Sequence, residues 1–142
     1  MAYVIDCDKD PFIPEGWTVV EHKKMGQLEW DPTRIRFYLS KKQMKGKHHI
    51  EGNKLRKELA SMPVLNANVL DSLLARPGLI PEEWKKDENG NARFVFFWGT
   101  IYRDSADRLR VRSLHFDDTQ WVWRHYWLGL VFYISDSAAL LA

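Results

Sequence analysis

The chain has 142 residues, a single cysteine and a formal net charge of +2, with 45% hydrophobic and 28% charged residues. That composition excludes a disordered chain and one stapled by internal disulfides, and the length suits a single domain, 1–142, able to bury its own core. No apolar run approaches the ~18 residues of a membrane span, and MAYVIDCDKD lacks the basic start and apolar stretch of a secretory signal, so the sequence predicts a cytoplasmic protein without a membrane partner.

In chain order, Pro11 and Pro14 make DPFIPEGW extended or turn-like. WTVVEH and GQLEW read as short strands joined by a turn at Lys23 to Gly26, and Asp31-Pro32 makes another turn. RIRFYLS alternates, Ile35, Phe37 and Leu39 opposing Arg34, Arg36 and Tyr38, which predicts a half-buried strand and completes a three-stranded meander. The period then changes. Asn53 is expected to cap KLRKELASM, with Leu55, Leu59 and Met62 at helical spacing. Asn66 is expected to cap ANVLDSLLA, with Val69, Leu70, Leu73 and Leu74 as its buried stripe. RPG stops that helix, IPEEW places Pro81 at the first position of a short third one, and ENGN is turn chemistry.

The last third is strand again. ARFVFFWGTIYRD is apolar on both faces between Phe94 and Trp98, which predicts a central strand. RLRVRSLHF and QWVWRHYWLGLVFYI follow, with Gly129 marking a bulge or bend. The closing SAALLA is apolar and is expected to dock on the domain. The whole predicts an α+β fold: a single curved antiparallel sheet of about six strands, with two to three helices inserted between an N-terminal and a C-terminal meander.

PEGWTVVEH, RFYLSKKQ, EGNKLRKEL, VLNANVLDSLL, IPEEWK and FFWGTIYR together resemble a group of small uncharacterised bacterial proteins. The resemblance spans nearly the whole chain and implies a single-domain bacterial, cytoplasmic protein. It implies no activity, cofactor or site.

The charge is unevenly spread. Residues 34–57 hold nine lysines and arginines (Arg34, Arg36, Lys41, Lys42, Lys45, Lys47, Lys54, Arg56, Lys57) against Glu51, a net +8 on an otherwise mildly acidic chain. Such an island attracts anions. A second candidate surface lies in the C-terminal hairpin. With a two-residue loop at Asp117-Asp118, Arg112 faces Trp123, Arg110 faces His125 and Arg108 faces Trp127; a four-residue loop keeps the same faces together. Either register interleaves Arg108, Arg110 and Arg112 with Trp121, Trp123 and Trp127. Three arginines inside a core would each need a buried partner, so this face is expected at the surface. Indoles beside cations suit single-stranded nucleic acid, whose bases stack and whose phosphates need neutralising. The bland alternative is that arginine stems shield the indoles from water, with no ligand at all.

Catalytic chemistry is weakly represented. His48, His49 and Glu51, with His115 and Asp117, are the residues a metal-dependent hydrolase would use, but their spacing matches no metal motif. Cys7 sits between Asp6 and Asp8, which discourage a thiolate. No phosphate-binding loop, dinucleotide fingerprint or serine elbow is present. The sequence therefore favours a non-enzymatic module that binds single-stranded nucleic acid or, failing that, another protein. It is expected to work as a monomer or weak homodimer, with no cofactor.

Overall fold

The computed structural model describes residues 3–46 and 48–142. Its strands are β1 (Val4–Asp6), β2 (Thr18–His22), β3 (Gln27–Glu29), β4 (Ile35–Tyr38), β5 (His49–Glu51), β6 (Phe94–Phe96), β7 (Thr100–Arg103), β8 (Leu109–Phe116), β9 (Trp121–Trp127), β10 (Val131–Tyr133) and β11 (Asp136–Leu141). The helices are α1 (Lys41–Met44), α2 (Gly52–Leu59) and α3 (Ala67–Ala75), with short 3-10 turns at Pro32–Arg34, Pro77–Leu79 and Glu82–Lys85. The fold is α+β with one curved main sheet, as the order of periodicities predicts.

That sheet runs β2-β7-β8-β6-β11-β4, and β9 pairs with β8 along the edge that β6 and β7 leave open. Two ribbons, β1-β3 and β5-β10, accompany it. The expected N-terminal meander does not form. β2 pairs with β7, β3 with β1 and β4 with β11, so each strand takes a partner distant in sequence or on another layer. Nor is the sheet wholly antiparallel, since β11 runs parallel to β6. The apolar tail is this strand: Ala138, Ala139 and Leu140 are buried between β6 and β4, where a polar terminus would not fit.

Both faces of the sheet are covered, which explains why Phe94 to Trp98 reads as apolar on both sides. One face carries Val95, Leu114 and Ala139 and packs on α3 (Val69, Leu70, Leu73), Ile5 of β1, Leu28 of β3, and Trp84. The other carries Phe96, Val111 and Leu140 and packs on Leu55 and Leu59 of α2, with Ile50 and Phe132 of the β5-β10 ribbon. The stretch expected as one central strand is broken at Phe97 to Gly99 into β6 and β7, which both pair with β8. Gly99 is the reason the break closes tightly: a Cβ there would lie 2.8 Å from the Asn66 Cα.

Asn66 caps α3 as expected, accepting from the Asn68 N–H at 3.1 Å. It also donates to the Cys7 and Lys23 carbonyls, both at 2.9 Å, while Asn68 donates to those of Asp6 and Lys9. Two buried amides thus hold the N-terminal segment against the sheet. The second helix starts at Gly52 rather than after Asn53, because Glu51 still pairs in β5 and the chain turns directly into the helix. Pro81 precedes its 3-10 turn as the cap residue. Gly129 lies between β9 and β10, where the Trp127 indole covers it so closely that a Cβ would meet the ring at 2.5 Å. Among the described residues no helix is long and apolar enough to cross a membrane.

Candidate nucleic-acid interface

The β8-β9 hairpin is closed by four residues, 117–120, not two. Asp117 organises them: its Oδ1 accepts from Gln120 N at 2.9 Å, Thr119 N at 3.1 Å and Thr119 Oγ1 at 2.8 Å, bonds that hold its carboxyl below the ordinary value. Asp118 takes a positive φ of 79°. Every cross-strand partner therefore moves by two residues, so that Leu114 faces Trp123, Arg112 faces His125 and Arg110 faces Trp127. The faces are unchanged, and the arginines and tryptophans do share one side. The Arg112 guanidinium lies 4.2 Å from the Trp123 ring centroid and Arg108 lies 4.9 Å from that of Trp127.

This side is only partly interior: Arg112 is buried, Arg110, Trp121 and Trp123 are half-buried, and Arg108, His125 and Trp127 are exposed. Arg112 is only 1% exposed and forms two bonds to Asp71 of α3, at 2.9 and 2.8 Å. Arg110 pairs with Asp104 at 2.8 Å. Trp17 covers Trp123 and His125 edge-on and tilts over Tyr102, whose hydroxyl donates to the Phe12 carbonyl. Trp121 and Trp123 pack against the core that includes α3. Asp71 and Asp104, both partly exposed, supply the carboxylates that pair with Arg112 and Arg110. Arg108 and the half-exposed Trp127 remain at its rim.

The basic segment lies elsewhere. α2 and β5 belong to the layer on the opposite face of the sheet, and that layer meets the hairpin where Gly52 N and Asn53 N donate to the Leu130 and Leu128 carbonyls just beyond Trp127. Within that layer the charges are well displayed. Lys41, Lys42, Lys45, Lys54 and Lys57 are exposed, and among the described residues none of the five forms an ion pair. Arg56 is partly engaged by Glu21 at 3.4 Å. Lys47 lies outside the described residues.

The helices that carry these lysines pack against a ribbon with an exposed aromatic that the sequence reading missed. α1 and α2 both pack against β5, and β5 pairs with β10. His49 sits opposite Tyr133 there, the rings 5.9 Å apart and tilted by 72°, with Tyr133 51% exposed. Gln43 of α1 is buried and its Nε2 donates to the Tyr133 and Asp136 carbonyls at 2.8 and 2.9 Å. The Tyr133 N–H donates to Asp136 Oδ2 at 2.8 Å. The backbone under an exposed phenol is therefore fixed, and the same glutamine ties it to the helix bearing Lys41 and Lys42. The pairing of β5 with a strand some eighty residues later leaves no local trace, so only the exposed aromatic in LVFYI hinted at it.

The hydrolase residues divide among separate elements. His48 takes a positive φ of 62° before β5, Glu51 stands at the N-cap position of α2 without a side-chain capping bond, and Asp117 is used by its turn. His115 is buried against Phe94, at 4.6 Å between ring centroids, and burial then Arg124 lowers its pKa. Among the described residues no three His, Cys, Asp or Glu side chains are placed to hold a metal ion. The Cys7 thiol is buried and pushed up to about 11, by burial first and then by Asp8 and Asp6. It is a core side chain rather than a nucleophile.

No protein-family model, curated protein or solved structure matches this chain. The functional reading therefore rests on the geometry just described.

Proposed function

We propose that the protein is a non-enzymatic module that binds nucleic acid, single strands in preference to duplex. The observation that carries this reading is the arrangement of unpaired lysines on α1 and α2 around a ribbon that presents Tyr133 on a fixed backbone. Lysines neutralise phosphates and release counterions, whereas an exposed ring offers a base somewhere to stack. Duplex bases are already stacked and cannot use it. The reading takes the protein as a cytoplasmic monomer or weak homodimer that works without a cofactor.

The test is a salt series of fluorescence anisotropy with single-stranded DNA, RNA and duplex. With about four phosphate contacts the log–log slope on single strands is expected near −3. Single strands should bind more tightly than duplex of equal length. Binding weaker than millimolar to every nucleic acid at low salt overturns the proposal.

A further inference from the structure

Beside β4 the surface opens into a cleft of about 510 Å³, within the size range of small-ligand sites. Phe37 and Leu39 line it, and Met44 and Ile134, both exposed, add apolar surface. Arg36 of β4 and Arg93, from the segment just before β6, also line it. Among the described residues neither guanidinium forms an ion pair. Arg93 lies 4.3 Å from the Phe37 ring centroid, and its hydrogen bonds are two long ones, both 3.3 Å, to the Lys86 carbonyl. Burial lowers its pKa, with Asp87 and Glu88 offsetting part of that shift from outside bonding distance. A half-buried guanidinium on an aromatic ring, without a carboxylate to receive it, is an arrangement that an incoming anion completes.

Two further features narrow the ligand. The cleft is continuous with the basic surface, because Met44 ends the same helix that carries Lys41 and Lys42. Asp87 and Glu88 form part of its wall. The four charges of the lining, Arg36 and Arg93 against Asp87 and Glu88, sum to zero, so the cleft suits the single negative charge of a phosphodiester better than a more highly charged group.

We infer that this cleft holds a single nucleotide of a bound strand, its phosphate between Arg36 and Arg93 and its base against Phe37, Leu39, Met44 and Ile134. The inference rests on the nucleic-acid reading above and adds a pocket to its open surface. It also implies selectivity: one phosphate is accepted and a triphosphate is disfavoured.

Calorimetric titration at low salt tests it, using adenosine 5′-monophosphate, adenosine 5′-triphosphate, inorganic phosphate and octanoate, with a single-stranded oligonucleotide in parallel. The monophosphate is expected to bind at submillimolar concentration, and more tightly than the other three small ligands. Arg36→Ala and Arg93→Ala should each weaken it about tenfold or more, as loss of a charged hydrogen bond does. Thermal melts establish that both variants are folded, and exposed Arg36 keeps the test intact should Arg93→Ala unfold. Lys54→Ala should weaken oligonucleotide binding and leave the monophosphate unchanged. If the oligonucleotide binds and the monophosphate does not, the pocket assignment is wrong while the nucleic-acid reading stands. Phosphate binding as tightly as the monophosphate removes the base from the cleft, and octanoate binding in its place makes it a site for apolar acids. If nothing binds, both readings fail.

Discussion

Asp71 and Arg112 join α3 to the central strand β8 through two hydrogen bonds, with the guanidinium almost wholly out of water. Removing one partner of such a pair leaves the other charge uncompensated, which costs about 3–5 kcal/mol, whereas replacing both with apolar groups is often neutral. Asp71→Ala is therefore expected to destabilise by about 3 kcal/mol in urea unfolding, and the double variant Asp71→Leu with Arg112→Met to recover most of it. Equal destabilisation by the single and double variants would show that the pair is not what makes the aspartate necessary.

Asp136 gives the stability a particular pH dependence. Burial raises its folded pKa to about 6, against an unfolded value near 3.9. The native state then holds the proton more tightly, so its contribution is fully present below pH ~4 and is lost as pH rises to about 6. Two pKa units correspond to about 3 kcal/mol. His115 and His125, both lowered first by burial, act in the opposite sense: they favour the fold above pH ~6.5 and cost stability as pH falls. Comparison with Asp136→Asn isolates the carboxyl. That variant should gain on the wild type steadily between pH 4 and 6.5; a constant difference would show that Asp136 does not titrate in that window.

Gly52 is fixed by contacts with the Leu128 backbone and the buried Phe132 ring. A Cβ there would lie 2.6 Å from the Leu128 carbonyl oxygen, and that turn is held by Gly52 N–H to Leu130 and Asn53 N–H to Leu128. Gly52→Ala should cost about 1–3 kcal/mol, as overpacking does. A thermal melt within one degree of the wild type would mean that the turn yields freely.

Tyr133 and Trp123 separate binding from stability. Tyr133→Ala should weaken single-strand binding by about 1–3 kcal/mol and leave the salt slope unchanged, because the loss is one of stacking. Trp123→Ala should lower stability by about 1–3 kcal/mol, since the half-buried ring packs between Arg112, Trp17 and the core, and leave the binding of folded protein unaltered. The reverse pattern would return the interface to the Arg/Trp face.

What the sequence made legible was local. The stripe on α3 and its Asn66 cap follow from helical spacing and from the chemistry of one amide, and Val69, Leu70 and Leu73 are fully buried while Leu74 sits at the margin. The sharing of one face by Arg108, Arg110, Arg112 and the three tryptophans follows from the parity of strands joined by an even-length loop. The partial burial of that face, centred on Arg112, does not follow from parity. It depends on Asp71, 41 residues before Arg112 in the chain, and on Trp17, which arrives from the N-terminal segment. The same limit applies to the pairings of β2, β3 and β4, and to Tyr133, whose place beside the helices that carry the lysines is set by a buried glutamine ninety residues earlier. Charge runs and alternation identify a surface but not which surface it adjoins.

The position of β11 bears on how the protein is made. Ala138 pairs with Tyr38 on one side and with Phe96 on the other, so a strand synthesised late separates two that are synthesised much earlier. Until residues 136–141 have cleared the ribosome, β4 lacks its sheet partner, β6 is paired on one side only, and Phe37, Phe96 and their neighbours have no completed layer to enter. Until then the nascent chain carries open apolar strand edges, the state in which chaperones engage and strands pair with the wrong partner. Closure of the sheet waits on β11, and a stall or truncation just before Asp136 leaves every earlier element present and the fold unfinished.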